Sequence, residues 1–233
     1  MVTDHRDRNV AIAPASASIS GSVFDYTPCV MYQKLPLPVS FVLAGLLILL
    51  TLWFRNYEFL LYAVTVLALA TLLFKTNQYF GFDPIGLWLF NLWLILHIAG
   101  GLASWQGTRF YDLILLPLTG EPYDVLKYDQ FVHFFCYFVM AILMWRVVQK
   151  AARPGANRII VCVLNVLAAS SIGALNEIIE FVAVVALGTD GVGGYINTAI
   201  DLVANLLGAI VGTLYMLARF PAREAEPQSG LPG

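Results

Sequence analysis

The chain has 233 residues, 59% of them hydrophobic and 12% charged, whereas an ordinary soluble domain carries about 25% charged residues. A mean hydropathy of +0.76 excludes a soluble globular domain, and a net charge of −2 without any basic run excludes nucleic-acid binding, which needs clustered Lys and Arg. What remains is an all-α polytopic membrane protein.

Residues 1–34 hold charges, Ser, Pro and Ala, and read as a flexible cytoplasmic N-terminal tail. Their only apolar run, Val10 to Ala13, is too short for a signal-peptide core, so the first span is expected to serve as the insertion signal. Six apolar runs of membrane-crossing length follow at roughly 35–54, 58–75, 84–103, 128–148, 158–187 and 197–218. They define a transmembrane domain over 35–219 and leave 220–233 as a second flexible cytoplasmic tail. The fifth run is over-long and is expected to tilt or end early. Cys29, Cys136 and Cys162 offer no pair with disulfide or metal-site spacing and read as packing residues.

Cytoplasmic flanks retain Lys and Arg, and this fixes the expected orientation. With both termini cytoplasmic, Arg6, Arg8, Lys34, Lys75, Arg146, Lys150, Arg153, Arg158, Arg219 and Arg223 lie inside, ten of the thirteen basic residues. The outer side keeps Arg55, Arg109 and Lys127 among acidic loops that include Glu58, Asp124 and Asp190. This topology puts His97, Asp129, His133, Glu177, Glu180, Asp201 and Asn205 in one outer half of the membrane. A carboxylate at a helix centre costs about 2.5–3.5 kcal/mol on insertion scales, so intramembrane acids point to a partner or a task.

Helical neighbours stand three or four positions apart. Asp129 with His133, Glu177 with Glu180, and Asp201 with Asn205 each obey that spacing. Asp201, Asn205, Gly208 and Gly212 form one stripe, and Gly208-Ala-Ile-Val-Gly212 is a small-xxx-small element that admits a neighbouring backbone. Ser170, Gly173, Glu177 and Glu180 form a second stripe, and His97, Gly101 and Ser104 a third. The polar faces are therefore expected to meet inside the bundle.

Four functions suit such a cluster. The acids and histidines could pair with one another and lock the helices together without chemistry. They could hold a divalent transition metal such as Zn, Mn or Fe through His97, His133, Glu177 and Asp201, with Glu180 as a partner supporting the ligands or as general base and Asp129 orienting the far nitrogen of His133. Glu180 and Asp129 could instead work with a histidine as a metal-free acid and base pair. A proton- or ion-coupled transporter is the fourth, opposed by the concentration of the polar cluster in the last three helices, since transporters are commonly built from similar halves. The 104–127 stretch is too long for a turn. Its Leu113 to Leu118 run is expected to dip into the interface and cover the site, with Arg109, Tyr111, Asp112 and Asn205 binding the substrate. A lipid or a lipid-linked envelope compound would suit such a lidded, lipid-facing pocket.

The motifs His97-Ile-Ala-Gly-Gly101, Phe110-Tyr111-Asp112, Tyr128-Asp129-Gln-Phe-Val-His133, Asn176-Glu177-Ile-Ile-Glu180 and Asp201-Leu-Val-Ala-Asn205-Leu-Leu-Gly208 together resemble the YjdF-like family of bacterial inner-membrane proteins of unknown function. The C-terminal half is also similar to VanZ-like proteins linked to glycopeptide resistance and the cell envelope. Two departures stand out: Thr189 to Gly194 replaces a Gly-Asp-x-x-Asp-like stretch, and Glu180 stands where VanZ-like chains carry Gln. The resemblance implies a multi-pass protein of the bacterial cytoplasmic membrane and a site location, not a reaction.

Overall fold

The computed structural model describes residues 35–121, 123–188 and 194–220. Both tails, Cys29, Arg6, Arg8, Lys34, Arg223 and the 189–193 stretch with Asp190 lie outside the described residues. Six helices long and apolar enough to cross a membrane make up the fold: α1 Pro36–Trp53, α2 Tyr57–Phe80, α3 Pro84–Leu102, α4 Tyr128–Ala151, α5 Arg158–Leu187 and α6 Gly194–Arg219. Lipid offers no hydrogen bonds to a backbone, so apolar runs of this length satisfy their N–H and C=O groups internally as helices.

Helix starts follow local chemistry. The side chains of Asn56, Asp83 and Asn157 accept from the backbone N–H groups of Phe59, Ile85 and Ile159, which satisfies donors that a first helical turn leaves open. α2 runs five residues past the expected end at Lys75, because Lys75, Thr76, Asn77 and Gln78 are all compatible with helix, and it stops at Gly81 in the left-handed region (φ 63°). α5 does not end early. It is one helix of 30 residues, about 45 Å long against a hydrocarbon core of about 30 Å, and must tilt or project.

α4 is the hub, with 56% of its span buried against 22% for α5. The small-xxx-small element is what lets α6 reach it: a Cβ on Gly208 would collide with the carbonyl oxygen of Phe134, and one on Gly212 with that of Phe138. α2 packs on α1 and barely touches α4 or α5. A gap between α2 and α5 results.

The two ends of the bundle differ. At one, Arg146 donates to the Gly81 carbonyl at 2.9 Å, Lys150 to that of Tyr79, and Arg158 to that of Phe220 at 2.8 Å, while Arg219 pairs with the buried Asp83 at 3.4 Å. At the other, the 104–127 connection forms a small antiparallel hairpin, Ser104–Trp105 with Thr108–Arg109, then a single 3₁₀ turn over Phe110–Asp112. Ile114, Leu115, Leu116 and Leu118 remain exposed. The apolar run therefore does not cover the site, because its backbone pairs with Val125 and Leu126 instead of folding inward.

Candidate functional site

Beneath the hairpin and the 3₁₀ turn lies a chamber of about 540 Å³, walled mainly by α2, α4 and α5 and roofed by Arg109, Tyr111 and Lys127. The part beneath the roof is polar, with Glu58, Asp129, His133 and Glu180, whereas Leu69, Leu72, Ile172 and Leu175 line the far part. Leu72 and Leu175 are also more than half exposed, so the apolar part opens sideways between α2 and α5, where lipid tails would be in a membrane.

Three helices converge on His133. It projects from α4 and is buried. Nδ1 lies 3.1 Å from Oδ1 of Asn205 and 3.5 Å from Oε1 of Glu177; Nε2 lies 3.6 Å from Oδ1 of Asp129 and 3.8 Å from Oε1 of Glu180. Asn205 Nδ2 donates to Glu177 at 3.3 Å. Its oxygen is thus left to accept from His133, which fixes Nδ1 as the protonated nitrogen of the neutral ring and turns the Nε2 lone pair toward Asp129, Glu180 and the chamber.

Other amides hold the carboxylates in place. The Asn197 amide donates to Oδ2 of Asp129 at 3.3 Å and to Oδ2 of Asp201 at 2.5 Å, and Asn176 donates to Glu180 at 2.7 Å. Asp201 is fully buried, and among the described residues its Oδ1 has no hydrogen-bond partner, nor has Oε2 of the buried Glu177. Two groups of ligating atoms come within 4.8 Å of one another, Asp129 with His133 and Asp201, and His133 with Glu177 and Glu180.

His97, expected as a fellow ligand, does not join either group. α3 turns its imidazole toward α2 and the 3₁₀ turn, where the ring stacks on Phe59 and Trp93 and Nδ1 meets the Tyr111 hydroxyl at 2.6 Å. Helical spacing assigns His97 to a face of α3 but does not say which neighbour that face meets. Asn205, expected to bind substrate, stands behind His133 rather than on the chamber wall, and Glu177 and Asp201 are likewise behind it. Arg109, Tyr111 and Asp112 do line the chamber. Arg109 bonds Asp112 at 3.1 Å. Burial pulls its guanidinium down, but the hydrogen bond and charge of Asp112 more than offset this and hold it above its usual value. Desolvation, helped by the charges of Asp129 and Glu180, drives the Tyr111 phenol well above the ordinary tyrosine range, so its hydroxyl stays protonated.

Sequence reasoning missed Asn197, Asn176, Tyr62 and Glu58. Asn197 and Asn176 each sit four residues before an acid, the same spacing that identified the other pairs. Glu58 opens α2 and looks like a loop acid until the fold brings it over the chamber, where it accepts from Tyr62 at 3.3 Å.

Six membrane-length helices, with a chamber among them that has a buried histidine at its polar end, define a multi-pass helical membrane protein with a candidate site inside the helical bundle. The chain belongs to the family described as "Predicted membrane protein (DUF2238)", whose profile matches residues 37–222. No curated protein and no solved structure matches it.

Proposed function

We propose that this protein binds an amphiphile, a lipid or lipid-linked envelope compound, with its head group among the polar residues of the chamber and its hydrocarbon chain leaving between α2 and α5. One observation carries this reading: a single cavity is carboxylate-lined at one end and apolar and laterally open at the other. Arg109 and Lys127 at the roof suit an anionic group on the substrate, and Tyr111 and Asp112 complete the rim. Glu180 and Asp129, both at the chamber wall beside His133, are the residues positioned for acid–base or metal-assisted chemistry on the head group.

The charge distribution among the loops supports cytoplasmic termini and a chamber that opens toward the outer face of the bacterial inner membrane. The motif likeness to YjdF-like and VanZ-like proteins supports a task in the bacterial envelope. A purely structural cluster is the competing reading, favoured by the mutual bonding of the acids through Asn176, Asn197 and Asn205.

Ala68 lines the chamber and is exposed, so Ala68→Trp should fill the lateral opening without disturbing the core. Photo-crosslinking in nanodiscs with a phospholipid bearing a diazirine in its acyl chain is expected to label α2 and α5 in the native chain and to lose most of that labelling in the variant. Equal labelling of both would exclude a chain-binding slot and leave the structural reading.

A further inference from the structure

We propose that Asp129, His133 and Asp201 bind one divalent transition cation, of the Zn, Mn or Fe class, between α4 and α6 at the edge of the chamber. The proposal goes beyond amphiphile binding and does not depend on it.

The first support is the direction of His133. Asn205 takes the Nδ1 hydrogen, so Nε2 is the ring nitrogen turned toward Asp129 and Glu180, and in the neutral ring it is the one that offers a lone pair to a cation. A ligating histidine typically has its other ring nitrogen bonded in this way.

The second support is spacing. The 3.6 Å and 3.8 Å separations of Nε2 from Asp129 and Glu180 are long for N–H···O hydrogen bonds, which cluster near 2.9–3.0 Å. Two ligands each about 2.0–2.2 Å from one tetrahedral cation stand about 3.4 Å apart. The Nε2–Asp129 distance, which joins two of the proposed ligands, is close to that edge length, and Asp201 brings an oxygen within 4.8 Å of the other two ligand atoms.

The third support is independent of both: Oδ1 of Asp201 is shut away from water, in a fully buried residue, with no hydrogen-bond partner among the described residues. Such an oxygen is costly to bury unless something cationic or a proton meets it. The single amide of Asn197 spends its two hydrogens on Oδ2 of Asp129 and Oδ2 of Asp201. That leaves the Oδ1 atom of each carboxylate for the cation, one of them already facing Nε2. One nitrogen and two carboxylate oxygens suit Zn, Mn or Fe better than Mg or Ca. Glu180, on the chamber side, stands where it can accept a proton from a cation-bound water.

The test is metal content of the full chain, purified in detergent, stripped with chelator, exposed separately to Zn(II), Mn(II) and Co(II), and freed of excess ion. Close to one cation per chain is expected, and Co(II) should give a visible d–d spectrum. Asp201→Asn, Asp129→Asn and His133→Gln are each expected to weaken Co(II) binding more than a hundredfold, beyond the ten- to hundredfold that loss of a supporting residue costs. Asp129 is the least buried of the three, so its variant provides the test if the other two fail to fold. Glu58→Gln, in the same chamber but outside the triad, and Ala68→Trp should keep the cation, so failure of this proposal is distinguishable from failure of amphiphile binding. Folded native protein that retains none of the three ions, or ligand variants that bind as the native chain does, would overturn it. The buried oxygen would then be assigned to a carboxylic acid proton.

Discussion

His133 on α4 and Asn205 on α6 meet with Nδ1 and Oδ1 3.1 Å apart, and the same amide donates to Glu177 on α5 at 3.3 Å. One asparagine therefore joins three helices and sets the direction of the central imidazole. Gly173 on α5 allows the approach, since a Cβ there would press on the Asn205 side chain at 3.0 Å.

Asn205→Leu keeps the volume but removes both bonds, leaving the His133 Nδ1 hydrogen and Glu177 without their partner. A loss of about 1–3 kcal/mol in stability is expected, the usual cost of stranded buried polar groups. Thermal unfolding in detergent measures it, and an unchanged midpoint would show that Asn205 does not tie the helices together. In the same variant Co(II) affinity should fall by about ten- to a hundredfold, less than for the ligand variants.

Gly208→Ala places a methyl group against the Phe134 carbonyl oxygen, and backbone cannot swing aside as a side chain would. Overpacking of this kind costs about 1–3 kcal/mol. Gly45→Ala, with nothing within 4 Å of its added Cβ, is the matched control and should be neutral or slightly stabilising. If both variants unfold alike, the α4–α6 contact is not as close as described.

Tyr111→Phe preserves the ring packed against Phe59 and removes the hydroxyl that bonds His97. The chamber roof should loosen, with faster backbone hydrogen exchange across residues 104–112 and little change in α4. The bond is worth about 0.5–1.5 kcal/mol, or roughly a two- to tenfold change in exchange rate. Because the phenol is held well above its ordinary range, this anchoring should not vary between pH 6 and about pH 9, where an unperturbed tyrosine would be close to ionising.

Thr119 and Ala156 are both exposed, at opposite ends of the bundle. In whole cells, a membrane-impermeant maleimide should label Thr119→Cys, and should label Ala156→Cys only after permeabilisation. The reverse pattern would invert the topology and put the chamber on the cytoplasmic side.

Much of this protein was determined locally. Water is absent from a bilayer core, so long apolar runs must be helices, and the number of spans and their approximate limits could be read from composition alone. The spacing of Asp129 with His133, Glu177 with Glu180, and Asp201 with Asn205 told which residues share a face, because a helix has a fixed 3.6-residue period. The same period exposed the Gly208–Gly212 face as a contact surface.

Tertiary structure alone decided which faces meet. His97 lies on a polar stripe as legitimate as any other, yet α3 turns it to Phe59, Trp93 and Tyr111 and leaves it outside both groups of ligating atoms. Period sets a face but not the rotation of one helix against the next, which follows from packing over the whole bundle. Packing also separated Asp129, His133 and Glu180 at the chamber wall from Glu177, Asp201 and Asn205 behind it, and brought Glu58, in the first turn of α2, over the chamber. Sequence supplied the expensive residues and the faces they share; the crossing of α4, α5 and α6 decided which atoms face one another.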